Sequence, residues 1–103
     1  MPEDQNSFRK VQDFASKQHN LAILRELLKT PQGLGFNAIM KAVLPITPRI
    51  LSARLRELEA LKLIQKNLVL GTKPKIEYRA LPKAEGLRKA LNELEKWGKK
   101  ELP

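Results

Sequence analysis

The chain has 103 residues and a formal net charge of +9 at pH 7, with no cysteine and one histidine. This length predicts a single domain over residues 1–103, and the composition argues against disulfides, thiol chemistry and metal sites built from cysteine or histidine. No apolar run approaches the roughly 18 residues of a membrane-spanning helix, and the polar start MPEDQNSFRK does not resemble a secretory signal, so we expect a cytoplasmic protein without a membrane partner.

Two helices are predicted at the start of the chain. Residues 1–6 are expected to be disordered. Apolar residues recur at helical spacing over 7–18 and again near 20–29, where Asn20 can act as the helix cap. Each segment carries its apolar residues on one side, which predicts that each helix packs that side against other protein surface.

A turn, a short extended stretch and a third helix are predicted next. Proline and glycine within 30–33 indicate the turn, and residues 34–36 form the extended stretch. The third helix is expected over 37–43, with Asn37 as its cap. About four residues then separate it from the following helix, which is the spacing of a helix-turn-helix.

The helix predicted over 48–61 carries the most informative pattern in the chain. Thr47 can cap it, and Pro48 suits its first turn, where no N–H is needed. One side aligns Leu51, Leu55, Leu58 and Lys62. The opposite side consists of Arg49, Ser52, Ala53, Arg56 and Ala60. Small residues let a backbone approach a DNA major groove, and arginine can form two hydrogen bonds with guanine. An amphipathic helix with a solvated charged face would show the same pattern.

The pattern after this helix changes to that of a β-hairpin over 62–80. Apolar and β-branched residues predict a strand over 62–70, Gly-Thr-Lys-Pro at 71–74 predicts the loop, and alternation predicts a returning strand over 75–79. A hairpin in this position is the wing of a winged helix, and a basic wing tip can contact sugar-phosphate or the minor groove. A solvated hairpin loop is the alternative.

A last helix over 82–100 repeats apolar residues at i, i+3, i+4 and i+7. A small winged domain has little core left to receive this stripe, so a partner chain is the natural acceptor. Packing across the back of the same domain is the alternative. The apolar residues expected at the interface between two copies are Phe8, Val11, Phe14, Leu87, Leu91, Leu94 and Trp97.

Positive charge is concentrated around the candidate helix and the hairpin. Residues 47–79 contain eight Lys/Arg and three Asp/Glu, whereas the other 70 residues contain twelve and eight. A localised basic surface favours a polyanion, with nucleic acid first and an anionic membrane second. No glycine-rich phosphate loop or nucleophile–histidine–acid arrangement accompanies it, so we expect no enzyme, no catalytic residues, no cofactor and no metal.

The order of elements and several motifs resemble the HxlR family of winged helix-turn-helix transcriptional regulators, relatives of the MarR group. The most specific motif is PRILS at 48–52 followed by RLREL at 54–58. Further similarity lies at 23–28, 35–37, 44–47, 63–64, 76–79 and 97–98. The resemblance implies a mainly α fold with a small antiparallel β-hairpin (α+β). It also implies a winged helix-turn-helix that dimerises through its terminal helices and binds operator DNA.

This chain departs from the family pattern in three places. The N-terminal cysteine is missing, which excludes thiol-based sensing. His19 replaces a tryptophan shortly before the second helix, and the start of the last helix, at 81–86, is one residue longer. Any signal must therefore reach this protein by another route, and the sequence identifies no effector ligand.

We therefore expect a homodimeric, nucleoid-associated regulator of double-stranded DNA that recognises a pseudo-palindromic operator. The residues expected to read bases are Arg49, Ser52, Ala53 and Arg56. Those expected to contact the DNA backbone are Asn37, Lys41, Thr47, Lys73, Lys75 and Arg79. Two alternatives share the same charges: an architectural DNA-binding protein of low specificity, and a winged-helix module that binds an acidic protein.

Overall fold

The computed structural model describes residues 2–103, and the side chains of 6–103. In chain order the elements are α1 (Pro2–Ser16), α2 (Asn20–Lys29), β1 (Leu34–Gly35), α3 (Phe36–Ala42), α4 (Pro48–Ala60), β2 (Ile64–Val69), β3 (Lys75–Ala80) and α5 (Pro82–Glu101). This order confirms the predicted fold class, which is mainly α with a small antiparallel sheet. None of the helices in the described chain is long and apolar enough to cross a membrane.

The N-terminal helix is longer than the sequence predicts. α1 begins at Pro2, so the prediction of disorder was wrong for residues 2–6, and Met1 lies outside the described residues. Proline suits the first turn of a helix because its missing N–H has no intrahelical partner there. The N-terminal segment is therefore part of the helical architecture.

Two predicted helix caps were also wrong. The cap position of α2 is His19, which has a left-handed backbone (φ 78°) and no capping hydrogen bond from its side chain. Asn20 is instead the first residue of α2, where its buried side-chain amide donates a hydrogen bond to the carbonyl of Phe14 (3.2 Å). The cap position of α3 is Gly35, because the helix starts directly after β1, and this places Asn37 inside the first turn.

β3 lies at the centre of a three-stranded antiparallel sheet in the order β1-β3-β2. The predicted hairpin is confirmed, with Ile64 opposite Ala80 and Val69 opposite Lys75. β1 adds a short third strand in which Leu34 lies opposite Tyr78. The preceding turn needs Gly33, whose φ is +99° and whose added Cβ would lie 3.1 Å from the Tyr78 carbonyl oxygen.

The hydrophobic core lies between α2, α3, α4 and the sheet. Its fully buried large side chains are Ile23, Leu24, Leu27, Ile39, Leu51, Leu55, Leu58 and Ile64. The predicted leucine stripe of α4 is thereby confirmed, except for Lys62. That residue lies beyond the end of α4, has a left-handed backbone (φ 64°) and is exposed. A left-handed residue ends the helical hydrogen-bond pattern, so Lys62 cannot continue the stripe.

Candidate nucleic-acid interface

The start of α4 is fixed by its cap. The Thr47 hydroxyl oxygen accepts a hydrogen bond from the backbone N–H of Ile50 (3.2 Å), and Pro48 occupies the first turn. Both residues were predicted in these roles, and both are exposed. The cap satisfies one of the N–H groups that otherwise lack a partner at a helix start, so α4 begins at a defined position on the protein surface.

The outer face of α4 presents two arginines to solvent. Arg49 and Arg56 are exposed, while Ser52 and Ala53 between them are half-buried. The seven-residue separation places the two arginines on the same side, roughly 10.5 Å apart along the helix axis. None of the ion pairs formed by side chains of residues 6–103 includes Arg49 or Arg56. Their positive charges are therefore available to an anionic partner.

The third arginine of α4 has a different environment. Arg54 is half-buried, forms an ion pair with Glu57 and donates a hydrogen bond from Nε to the carbonyl of Gln18 (3.2 Å). Lys17 Nζ lies 2.6 Å from the Glu57 carboxylate. The hydrogen bond from Lys17 and, after it, that from Arg54 hold the pKa of Glu57 below its ordinary value, against the effect of burial. These contacts attach the α1–α2 connection to α4.

The same connection also contacts the turn that precedes α4. His19 Nε2 lies 2.9 Å from the carbonyl oxygen of Pro45. Residues 17–19 therefore touch the helix-turn-helix at both its turn and its second helix. The sequence did not predict this network. The three-residue spacing of Arg54 and Glu57 is a usable signal, but Lys17 is 40 residues away from Glu57 along the chain.

The hairpin and α3 carry the other predicted DNA contacts. All six residues expected at the DNA backbone are exposed, namely Asn37, Lys41, Thr47, Lys73, Lys75 and Arg79. They differ in their surroundings. Lys73 lies at the hairpin tip, and Lys75 pairs with Glu77 (3.4 Å). Arg79 lies near the base, where its side chain passes over Gly33 and Cγ is 3.0 Å from the position of an added Cβ.

Tyr78 anchors the base of the hairpin. Its side chain is buried in the core. Burial raises the pKa of the Tyr78 phenol, and the nearby negative charge of Glu59 raises it further. The buried ring holds β3 against the domain.

The terminal helices present an open apolar surface. Of the residues predicted at an interface between copies, Phe14, Leu87 and Leu91 pack partly onto the domain's own core. The remaining four, Phe8, Val11, Leu94 and Trp97, are exposed. Between α1 and α5 lies a groove of about 660 Å³, lined mainly by apolar side chains that include Val11, Phe14, Leu87 and Leu94.

An ion pair fixes α5 against the rest of the domain. Arg25 of α2 donates from Nε to one Glu95 carboxylate oxygen (2.6 Å) and from Nη2 to the other (3.0 Å). This two-point contact lowers the pKa of Glu95 and raises that of Arg25. The planar guanidinium matches the carboxylate geometrically, so the pair restrains the direction in which α5 leaves the domain.

A helix-turn-helix formed by α3 and α4, followed by the β2–β3 wing, defines a winged helix-turn-helix protein. Residues 15–103 match the HxlR-like helix-turn-helix family, and the chain belongs to that family. It is therefore a transcriptional regulator with a fold that implies DNA binding, and not an enzyme.

Individual proteins that resemble this chain are also described as transcriptional regulators. The chain is 33% identical over 90 residues, 87% of its length and 82% of the relative's, to YvaP, an uncharacterized HTH-type transcriptional regulator of Bacillus subtilis. A MarR-family regulator from Enterococcus faecalis has a similar structure (TM-score 0.78, 28% identity, covering 92% of this chain and 84% of that one). The reduced form of the regulator YodB from B. subtilis shares the fold (TM-score 0.78, 22% identity, covering 99% and 94%).

Proposed function

We propose that this protein is a homodimeric regulator that recognises a specific double-stranded DNA sequence, with α4 in the major groove and the basic wing on the adjacent backbone or minor groove. The supporting observation is the outer face of α4. Arg49 and Arg56 are exposed and unpaired among the described side chains, whereas the leucines on the opposite side are fully buried. Folding therefore leaves the cationic side of this helix available.

The residues of that face have separate roles in the proposal. Arg49 and Arg56 each form two hydrogen bonds with a guanine, which requires their planar guanidinium groups. Ser52 and Ala53 are small enough for the helix backbone to enter the groove. Contacts to phosphate and sugar then fix the register. They come from Asn37, Lys41, Thr47, Lys73, Lys75 and Arg79.

Two copies are proposed to pair through the terminal helices. The exposed side chains of Phe8, Val11, Leu94 and Trp97 supply the apolar area, and the groove between α1 and α5 can accept side chains of the second copy. A symmetric dimer would place its two α4 helices about 34 Å apart, one turn of duplex, on a pseudo-palindromic operator.

The experiment that tests this proposal is selection of bound sequences from a random duplex pool, followed by binding of variants to the selected site. Arg49→Ala and Arg56→Ala should each lose roughly 1–3 kcal/mol of binding free energy on the selected site. Each loss should disappear on a site already mutated at the contacted base pair. An equal loss on every sequence would contradict base reading by these arginines.

Lys73→Ala provides the matched control on the wing. Because a phosphate contact carries no base information, this change should weaken binding to all sequences alike. It should also reduce the slope of log affinity against log salt concentration by about one unit. A position-dependent loss would assign Lys73 to base reading instead.

The same assays distinguish the alternatives. Enrichment of no sequence together with broad coverage of the genome would indicate an architectural DNA-binding protein. Lack of binding to any duplex at low and intermediate salt would indicate a protein-interaction module whose α4 surface meets an acidic partner.

A further inference from the structure

The wing carries an apolar ridge that its proposed phosphate contacts do not explain. We define the wing ridge as Leu68, Leu70 and Ile76. Leu68 lies directly opposite Ile76 in the β2–β3 pairing, and Leu70 follows the end of β2. Directly opposed side chains of an antiparallel pair share one face of the sheet. The two strands therefore present their aliphatic residues together.

The ridge continues the face that forms the core at the base of the hairpin. Successive residues of a strand alternate between faces, so Leu68 shares a face with Ile64, and Ile76 shares it with Tyr78. Exposure rises along this face from 1% at Ile64 to 63% at Leu68 and 76% at Leu70, with 44% at Ile76. The hairpin therefore extends beyond the domain and carries an apolar surface that the described residues leave largely exposed.

The charge around the ridge favours nucleic acid as the occupant. Residues 64–80 contain four basic side chains and one acidic side chain, and the acidic one, Glu77, is paired with Lys75. Lys66 shares the ridge face, and Lys73 lies at the tip. A second copy of this hairpin would bring like charges together, whereas DNA phosphates would neutralise them.

We propose that the wing ridge packs against the deoxyribose walls of the minor groove beside the site occupied by α4, while the surrounding lysines contact phosphates. This inference rests on the proposed function and deepens it. Leucine and isoleucine are among the apolar side chains that proteins insert into minor grooves, where they can partly unstack a base step. The ridge adds affinity that does not depend on counterion release, and it favours sequences whose minor groove opens easily.

The test uses the full chain and a duplex that contains the selected operator. The main variant is Leu68→Thr combined with Ile76→Thr, because threonine keeps the strand preference while it removes apolar surface. Leu70→Ser is a second variant outside the strand, which leaves the β2–β3 pairing untouched. Val69→Thr, on the opposite face of the same hairpin, is the matched control.

Binding is measured over a series of salt concentrations, together with hydroxyl-radical footprints that report deoxyribose accessibility. The double variant should bind about tenfold more weakly, equivalent to about 1.4 kcal/mol. The slope of log affinity against log salt should stay unchanged, since no phosphate contact is lost. Protection should disappear at the minor groove flanking each half-site and persist at the centre of the half-site. Val69→Thr should behave as the parent protein.

Three outcomes would overturn the inference. The first is an unchanged affinity and footprint for both ridge variants on an operator that the parent protein recognises. The second is a loss of affinity accompanied by a reduced salt slope, which would assign the effect to displaced lysines. The third is a change in oligomeric state on sedimentation, which would make the ridge an interface between copies. Failure of the parent protein to select any sequence would instead refute the proposed function.

Discussion

Apolar side chains have different environments in two regions of the molecule. One region is the winged body, which is residues 20–80, and the other is the pair of terminal helices, α1 and α5. In the body, Leu51 and Leu58 are 0% exposed, whereas Phe8 in α1 is 68% exposed and Trp97 in α5 is 56% exposed. The body therefore supplies every side chain of the buried core except that of Ala84 in α5, although its wing ridge is exposed. The terminal helices carry apolar surface of the kind that marks a protein interface. We therefore expect the winged body to provide most of the folding stability and the terminal helices to provide the surface for assembly.

Polar contacts join the two regions. Lys17, directly after α1, reaches Glu57 on α4, and Arg25 on α2 holds Glu95 on α5. Because these side chains remain partly solvent-exposed, each pair adds little stability but fixes an orientation. In the proposed dimer, the terminal helices would therefore set the placement of α4 without contributing much to the core.

The largest expected effect comes from the body. Leu51→Ala would leave a cavity beneath the face that carries Arg49 and Arg56. It should lower the free energy of unfolding by about 2–5 kcal/mol. Chemical denaturation at a fixed protein concentration measures the change. An unchanged denaturation midpoint would show that α4 does not depend on the core beneath it.

The second prediction concerns assembly through the terminal helices. Phe8→Ser combined with Trp97→Ser removes large exposed aromatic rings, which are the residue type that dominates interface energies. It should weaken dimerisation by at least about 2 kcal/mol. Analytical ultracentrifugation over a range of concentrations would detect the shift toward monomer.

The control for that variant tests whether its winged body remains folded. Far-UV circular dichroism and the Tyr78 environment should stay as in the parent protein at concentrations where the variant is monomeric. A parent protein that sediments as a monomer, or a variant that unfolds when it dissociates, would contradict the division between the two regions.

The third prediction compares a glycine from each region. Gly33→Ala forces a side chain into a left-handed turn (φ +99°) and against Arg79, whose Cγ lies 3.0 Å from the added Cβ. Such backbone strain costs roughly 1–3 kcal/mol. Gly86→Ala in α5 meets nothing within 4 Å and should stabilise the helix by about 0.5–1 kcal/mol.

Thermal unfolding of the two glycine variants measures both effects. Equal shifts in the same direction would contradict the comparison. Gly86 also lines the groove between α1 and α5, so sedimentation of Gly86→Ala adds a second readout. Weaker dimerisation despite a more stable helix would place the second copy close to this residue.

Local signals explain why most of the fold could be predicted from the sequence. The cap at Thr47, the proline after it and the leucine period fix α4, and alternation fixes the hairpin. The failures have a different origin. Asn20 and Asn37 are good caps by residue type, but the Asn20 side chain instead donates a hydrogen bond to the Phe14 carbonyl across the α1–α2 connection. Pairing of β1 with β3 places the cap of α3 at Gly35.

The candidate site, like the fold, was predictable where local sequence signals determine it and not where contacts distant in sequence do. The exposure of Arg49 and Arg56 follows from helical period alone, and so does the different orientation of Arg54. The attachment of Arg54 to Gln18 and of Lys17 to Glu57 does not, because those contacts join residues 36 and 40 positions apart. Only tertiary structure reveals that the α1–α2 connection holds α4 in place.

The smallest expected effect tests that attachment. Glu57→Gln removes the charge that Lys17 and Arg54 share, and it should lower the free energy of unfolding by less than about 1 kcal/mol near neutral pH, because both partners are screened by solvent. The pKa of Glu57 is lowered in the folded protein. Its contribution is therefore present above the ordinary carboxyl pKa of about 4.3 and is lost as the pH falls through the lowered value.

The stability difference between the parent protein and Glu57→Gln should accordingly be constant from neutral pH to about pH 5 and shrink toward zero in stronger acid. Urea denaturation over this pH range measures it. Glu93→Gln is the matched control, because Glu93 pairs only with Lys96 on the same helix among the described ion pairs. If the difference for Glu57→Gln instead grows as the pH falls, the carboxylate is not stabilised by its cationic partners. The α1–α2 connection would then be attached to the helix-turn-helix by the Arg54–Gln18 and His19–Pro45 hydrogen bonds.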